Sequence, residues 1–185
     1  PTRGYRLADG SKADGVTTIL NTIGFGKDAL VGWANKIGRE GLKSHEVSRH
    51  AARVGTCAHD RIEALLTGKP FDDSGFTPEE MAEADPCVEM FQVWRRGKRI
   101  KVVSIELAMT SETYRCGGTL DLVARINGGP LTLIDFKTSG NLYETYIAQV
   151  AAYIEMLADI HEKHIESAIL VRFGKDGTCD ELVID

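Results

Sequence analysis

Residues 131–137 read Leu-Thr-Leu-Ile-Asp-Phe-Lys, and residues 117–123 read Gly-Gly-Thr-Leu-Asp-Leu-Val. Each carries an acid inside an apolar run, and turn residues bound the pair, which predicts strands over 120–126 and 131–137. Between them Asn127-Gly128-Gly129-Pro130 spells a tight hairpin turn. With a three-residue loop over 127–129, Asp121 lies directly opposite Asp135, on one face and about 5 Å apart at Cβ. Residues two apart in a strand share a face, so Lys137 projects beside Asp135. Two facing carboxylates repel unless a cation sits between them. A hard divalent ion such as Mg²⁺, which takes oxygen ligands, would resolve that clash. The blander readings are a surface salt pair for Asp135 and Lys137, and a turn cap or an Arg125 partner for Asp121.

Outward from the hairpin, the second half keeps the strand period over 102–109, 167–173 and 182–184, interrupted by one long helix over 143–163. The first half is helical by pattern. A helix starts near Thr17-Thr18 after Asp14-Gly15, and another spans 28–39 with Leu30, Trp33, Ala34 and Ile37 on one side. A third covers 44–66 with a break or re-start at Gly55-Thr56. Thr77-Pro78-Glu79-Glu80 opens a fourth that runs to about Arg96. No internal repeat, low-complexity segment or linker divides the chain. The reading is one α/β domain over 1–185: a mostly helical approach over 1–100, then a strand-rich core over 101–185.

The 185 residues are 43% hydrophobic and 26% charged, the composition of a globular chain able to bury a core without disulfides. No apolar run reaches membrane-spanning length, and no basic-apolar leader opens the chain, so no secretion is expected. Cys57, Cys87, Cys116 and Cys179 form no CxxC pair, which fits free thiols in a reducing compartment. The net charge is −5, which excludes a uniformly basic nucleic-acid coat but not a local groove. Charge is segregated: seven acids and no Lys or Arg over 72–89, five bases and no acid over 94–101, and seven bases against four acids over 27–61. Each run also reads as a solvated face.

Two helical pairs complete the set. His59 and Glu63, within Gly55-Thr56-Cys57-Ala58-His59-Asp60-Arg61-Ile62-Glu63, are four apart and share a face. So do Gln149 and Tyr153, on an otherwise apolar stretch where they need polar partners. A satisfied structural histidine and a Tyr at the core edge are the plainer alternatives.

GTxxHxxxE, GGTLD, LIDFKTS and QVAAY, in that order, resemble the RecB-like branch of the PD-(D/E)xK nuclease superfamily, which includes phage-type and mitochondrial exonucleases. The opening VTTIL and ALVGWANKIGREG resemble its helical approach, so the likeness runs from about Val16 to Tyr153. The resemblance implies a restriction-endonuclease-like core: a central mixed sheet flanked by helices. It implies metal ligation by His59, Asp121, Asp135 and the main-chain carbonyl of Phe136, with one or two Mg²⁺ or Mn²⁺ ions. Lys137 becomes the catalytic lysine, positioned by Gln149 and Tyr153, with Glu106 and Glu63 as auxiliary acids. The implied activity is metal-dependent DNA exonucleolysis, in recombination, repair or processing, on single- or double-stranded DNA with ends preferred. Phosphates would be tracked by charge from Arg49 and Arg53, with Lys36 and Arg39, and from Arg95, Arg96, Lys98, Arg99 and Lys101. Trp33 or Trp94 would stack a base unless it is core. Only Cys179 lies near the C-terminus, so no iron–sulfur cluster is expected. The expected setting is the cytoplasm of a bacterium or phage-infected cell, or a mitochondrion, with no membrane partner. Two rivals stand beside it: a non-catalytic nucleic-acid-binding module on a nuclease fold, and an HD-type metal phosphohydrolase suggested by His59-Asp60 with His45, His50, His161 and His164.

Overall fold

Five helices and seven strands follow one another in the described residues of the computed structural model, which are 4–23, 27–161 and 164–184. In chain order they are β1 (Tyr5–Arg6), β2 (Lys12–Gly15), α1 (Val16–Ile23), α2 (Lys27–Arg39), α3 (Ser44–Thr67), α4 (Pro78–Arg95), β3 (Ile100–Ser111), β4 (Cys116–Ile126), β5 (Leu131–Lys137), α5 (Glu144–His161), β6 (Ser167–Phe173) and β7 (Cys179–Ile184). The fold is α/β, a central mixed sheet flanked by helices.

The Thr77 signature works as its residues dictate. The Thr77 hydroxyl accepts the Glu80 amide and the Glu80 carboxylate accepts the Thr77 amide, a reciprocal cap that starts α4 at Pro78. The Asn127 turn is likewise as expected. Asn127 and Gly128 take φ of 54° and 79°, and the Gly129 amide bonds the Ile126 carbonyl at 2.9 Å. That closure pairs Arg125 with Leu131 and Leu122 with Ile134.

Three local expectations change. α3 runs unbroken through Gly55-Thr56; the Thr56 hydroxyl donates back to the Ala52 carbonyl instead of capping a new helix. Gly55 is there for clearance, because a Cβ would stand 3.0 Å from Thr138 Oγ1. Asp14-Gly15, read as the approach to a helix, ends β2, which together with β1 escapes any period test at four and two residues. The strands β3, β4 and β7 also extend beyond their apolar stretches. The expected end of the last helix at Lys163 lies outside the described residues.

β4 organises the sheet. Its whole length pairs antiparallel with β3 on one edge. The other edge is shared: β2 pairs parallel at Cys116 and Gly117, and β5 pairs antiparallel at 122–125. β5 then pairs parallel with β6 across α5, and β7 closes the edge antiparallel to β6. Alternation in β5 sends Ile134 and Phe136 to the layer under α3 and α4, and Leu133 to the layer under α5. Phe91, Trp94, Phe136 and Phe173 stack edge-on in the first layer. Trp94 is thereby core and not a base platform. Among the described residues no helix is long and apolar enough to cross a membrane.

Candidate active site

On the shared edge of β4, nothing pairs between Gly117, the end of the β2 ladder, and Leu122, the start of the β5 ladder. Asp121 sits in that fork. It occupies the register position opposite Asp135, as the turn length requires, but the ladder stops one residue short of it. Asp121 Oδ2 instead takes the Phe136 amide at 2.7 Å. Asp121 Oδ1 lies 3.4 Å from His59 Nδ1 on α3.

Glu106 approaches from the other edge. Its neighbours Ile105 and Leu107 pair with Leu122 and Leu120, which leaves Glu106 opposite Asp121 and out of the ladder. Its φ is 46°, a left-handed conformation that costs a non-glycine residue energy and is typically kept where a site needs it. One ligand atom from each of His59, Glu106 and Asp121 falls within 4.8 Å of the others. The trio differs from the set implied by resemblance: Glu106 is in it and Asp135 is not.

Asp135 instead heads a second chain of contacts. It is 1% exposed and lies 2.6 Å from Lys137 Nζ, yet neither of its oxygens receives a hydrogen bond of sound geometry. Lys137 donates to Gln149 Oε1 at 3.1 Å, and Gln149 Nε2 donates to the Tyr153 hydroxyl at 2.9 Å. Gly118 makes this possible, since a Cβ there would stand 2.4 Å from Tyr153 Cε1. The Lys137 ammonium also lies 4.7 Å from the centre of the Tyr146 ring. Tyr146 was not anticipated; its position three residues before Gln149, on the same helix face, was the available signal.

The electrostatics follow from placing these charges together in a poorly solvated fork. Burial pushes the Glu106 carboxyl up to about 7, with Asp121 adding repulsion. Burial also lifts Asp135 to about 6 against the pull of Lys137. Partial burial of His59 opposes its charge, but the Asp121 carboxylate overrides this and raises its pKa to about 9. Burial works against the Asp121 charge as well, and His59 and Lys137 hold its carboxyl below the ordinary range. The repulsion expected between the two aspartates is thus offset inside the protein, one by His59 and the other by Lys137.

The fork opens into a cleft of about 780 Å³, lined by Tyr5, Lys12, Thr17, Thr56, His59 and Glu106 among others. Glu63 lines the same cleft one helical turn beyond His59 but stands outside the trio. None of the basic residues singled out as DNA contacts lines it. Arg53 is engaged by Glu80 and donates to the Gly75 carbonyl, clamping α3 to the start of α4. Arg95 donates to the Leu65 carbonyl, and Lys98 bonds the Trp94 carbonyl and covers the Trp94 ring. Arg96, Arg99 and Lys101 are exposed at the hairpin end of the sheet, where Lys101 pairs with Arg125. Arg49 is exposed on α3. Of the histidines in the HD alternative, His50 is bound to Glu83 at 2.7 Å, and among the described residues only His59 joins a metal-capable group, without Asp60.

No family model matches the chain, and no curated protein matches it. Among solved structures, the crystal structure of SSO0001 is similar at 17% identity with a TM-score of 0.37, covering 74% of this chain. The match spans just under two thirds, 66%, of that chain's length.

Proposed function

We propose that the protein is a metal-dependent deoxyribonuclease that hydrolyses DNA phosphodiesters from ends, as the resemblance to RecB-like PD-(D/E)xK nucleases implies. The observation that carries this reading is one juxtaposition. His59, Glu106 and Asp121 converge within 4.8 Å, while the Asp135–Lys137 pair stands on the adjoining strand, tied to the trio through the Asp121–Phe136 bond.

The residues fit a hard divalent cation. One imidazole and two carboxylates form an N/O donor set suited to Mg²⁺ or Mn²⁺, and the Asp135 oxygens, ion-paired to Lys137, accept no hydrogen bond of sound geometry. His59, Glu106 and Asp121 would hold the ion, with Asp135 and the Phe136 carbonyl as further oxygens. A bound ion supplies polarisation of a phosphodiester oxygen and a water of lowered pKa.

The chain's own groups do the rest. Lys137 stays cationic, because Asp135 and Asp121 outweigh its burial and raise its pKa. Its ammonium orients the attacking water and offsets charge that develops on the phosphate. Gln149, fixed by Tyr153, and the Tyr146 ring hold that ammonium in place. The test is cleavage of end-labelled linear and closed circular DNA. Linear DNA is expected to be degraded with Mg²⁺ or Mn²⁺, circles spared, and EDTA to stop the reaction. Robust cleavage in EDTA would refute the metal-dependent reading, and equal rates on circles would make it an endonuclease.

A further inference from the structure

Next to the Lys137 chain, one aromatic ring faces solvent from a rigid mount. Tyr143 is 45% exposed, and its hydroxyl makes no hydrogen bond to the described residues. Its ring meets Tyr146 edge-on, with centroids 5.5 Å apart and planes at 74°. Tyr146 is itself held from another side by the Lys137 ammonium. The backbone is pinned as well. The Tyr143 carbonyl accepts the Tyr146 amide at 2.9 Å to begin α5, and the preceding Leu142 packs into the core under that helix.

Tyr143 therefore offers an exposed aromatic face, one ring removed from the ammonium that the nuclease reading assigns to the phosphate. It lies outside the lining of the 780 Å³ cleft and connects to the site through Tyr146, whose ring meets Tyr143 at 5.5 Å and the Lys137 ammonium at 4.7 Å. We propose that Tyr143, backed by Tyr146, is a stacking site for the nucleobase that flanks the scissile phosphate on the Lys137 side. This rests on the nuclease reading above and adds to it a contact that no sequence motif marks. Stacking suits a general nuclease, because every base has a π-face and none is selected by hydrogen bonds.

The test is fluorescence anisotropy with a labelled single-stranded oligodeoxynucleotide and the same oligonucleotide made abasic, with Ca²⁺ in place of Mg²⁺. Tyr143→Ala is expected to weaken binding of the normal strand by about 5- to 150-fold, the fold-change equivalent of losing one stacked base. The abasic strand is expected to bind the wild type weakly and to lose nothing further in the variant, and Tyr143→Trp should restore binding of the normal strand. Unchanged binding in Tyr143→Ala, or equal loss on both strands, would overturn the stacking site and leave the nuclease reading standing. Failure of the wild type to bind either strand would overturn both. An unchanged melting temperature in Tyr143→Ala checks that the exposed ring carries no part of the fold.

Discussion

Asp135 and Lys137 form an ion pair with side chains 1% and 14% exposed, and such a pair behaves asymmetrically under mutation. Removing one partner strands the other charge, whereas replacing both with isosteric neutral groups can be nearly neutral. Asp135→Asn is therefore expected to lower stability by on the order of 3 kcal/mol in urea unfolding and to abolish cleavage. Asp135→Asn with Lys137→Met should recover most of the stability and none of the activity. A more stable single variant would show that aspartate repulsion, and not the ion pair, dominates the fork.

Asp135, with His59 and Glu106, sets a pH dependence. His59 (6.5 to about 9), Glu106 (4.5 to about 7) and Asp135 (3.8 to about 6) all have folded pKa values above their ordinary ones. Each contributes stability that is fully present below its ordinary pKa and lost as pH rises through the folded value. Asp121, held low, acts only at the acid end, where its contribution is lost as pH falls. The melting temperature in EDTA is expected to decline from about pH 4 to about pH 9. Mn²⁺ should raise it more at the alkaline end, because binding needs His59 and both carboxyls deprotonated. A flat profile in EDTA would mean that burial and neighbouring charges do not raise these three groups.

At the scale of elements, the site depends on how closely β4 lets its neighbours approach. Gly117 and Gly118 carry no side chain so that Tyr5 and Tyr153 can lie against the strand; a Cβ at Gly117 would stand 2.1 Å from Tyr5 Cγ. Gly118→Ala should push Tyr153 away, release Gln149 and loosen Lys137. Overpacking of this kind costs about 1–3 kcal/mol, and the turnover loss should exceed what that destabilisation explains. If Gly118→Ala keeps wild-type turnover, the Tyr153–Gln149–Lys137 chain is not needed for positioning. GGTLD thus combines two requirements, bare backbone for packing and an acid for the fork, and only the second is chemical.

For the whole molecule, the proposed nuclease reading asks where a chain of net charge −5 would receive a polyanion. The basic run over 94–101 sits at the hairpin end of the sheet. From Lys101 to Glu106 is five strand residues, about 16 Å, and Arg95 and Lys98 already have protein partners. α3 carries His59 and the exposed Arg49, and the exposed Lys36 and Arg39 lie on α2 just before it. Alanine at Lys36, Arg39 and Arg49 is expected to flatten the plot of log affinity against log salt by up to about 2 on single strands. Alanine at Arg96, Arg99 and Lys101 should change it by less than about 0.7. The reverse ranking would move the DNA path to the hairpin end.

What the sequence determined alone is what short-range rules reach. The Asn127 turn set the register that brings Asp121 toward Asp135, periodicity placed the main strands and helices, and i,i+4 spacing stacked Gln149 under Tyr153. Tertiary structure decided whatever depends on segments distant in the chain. Glu106 enters the trio because a ladder leaves it out in a left-handed conformation, Gly55 serves Thr138 and not a helix break, and Tyr146 covers Lys137. It also decided which bases stay free, since Arg53 is consumed by Glu80 across 27 residues of chain. No local pattern encodes such contacts, because each depends on a partner whose position is fixed only when the sheet and its two helical layers close.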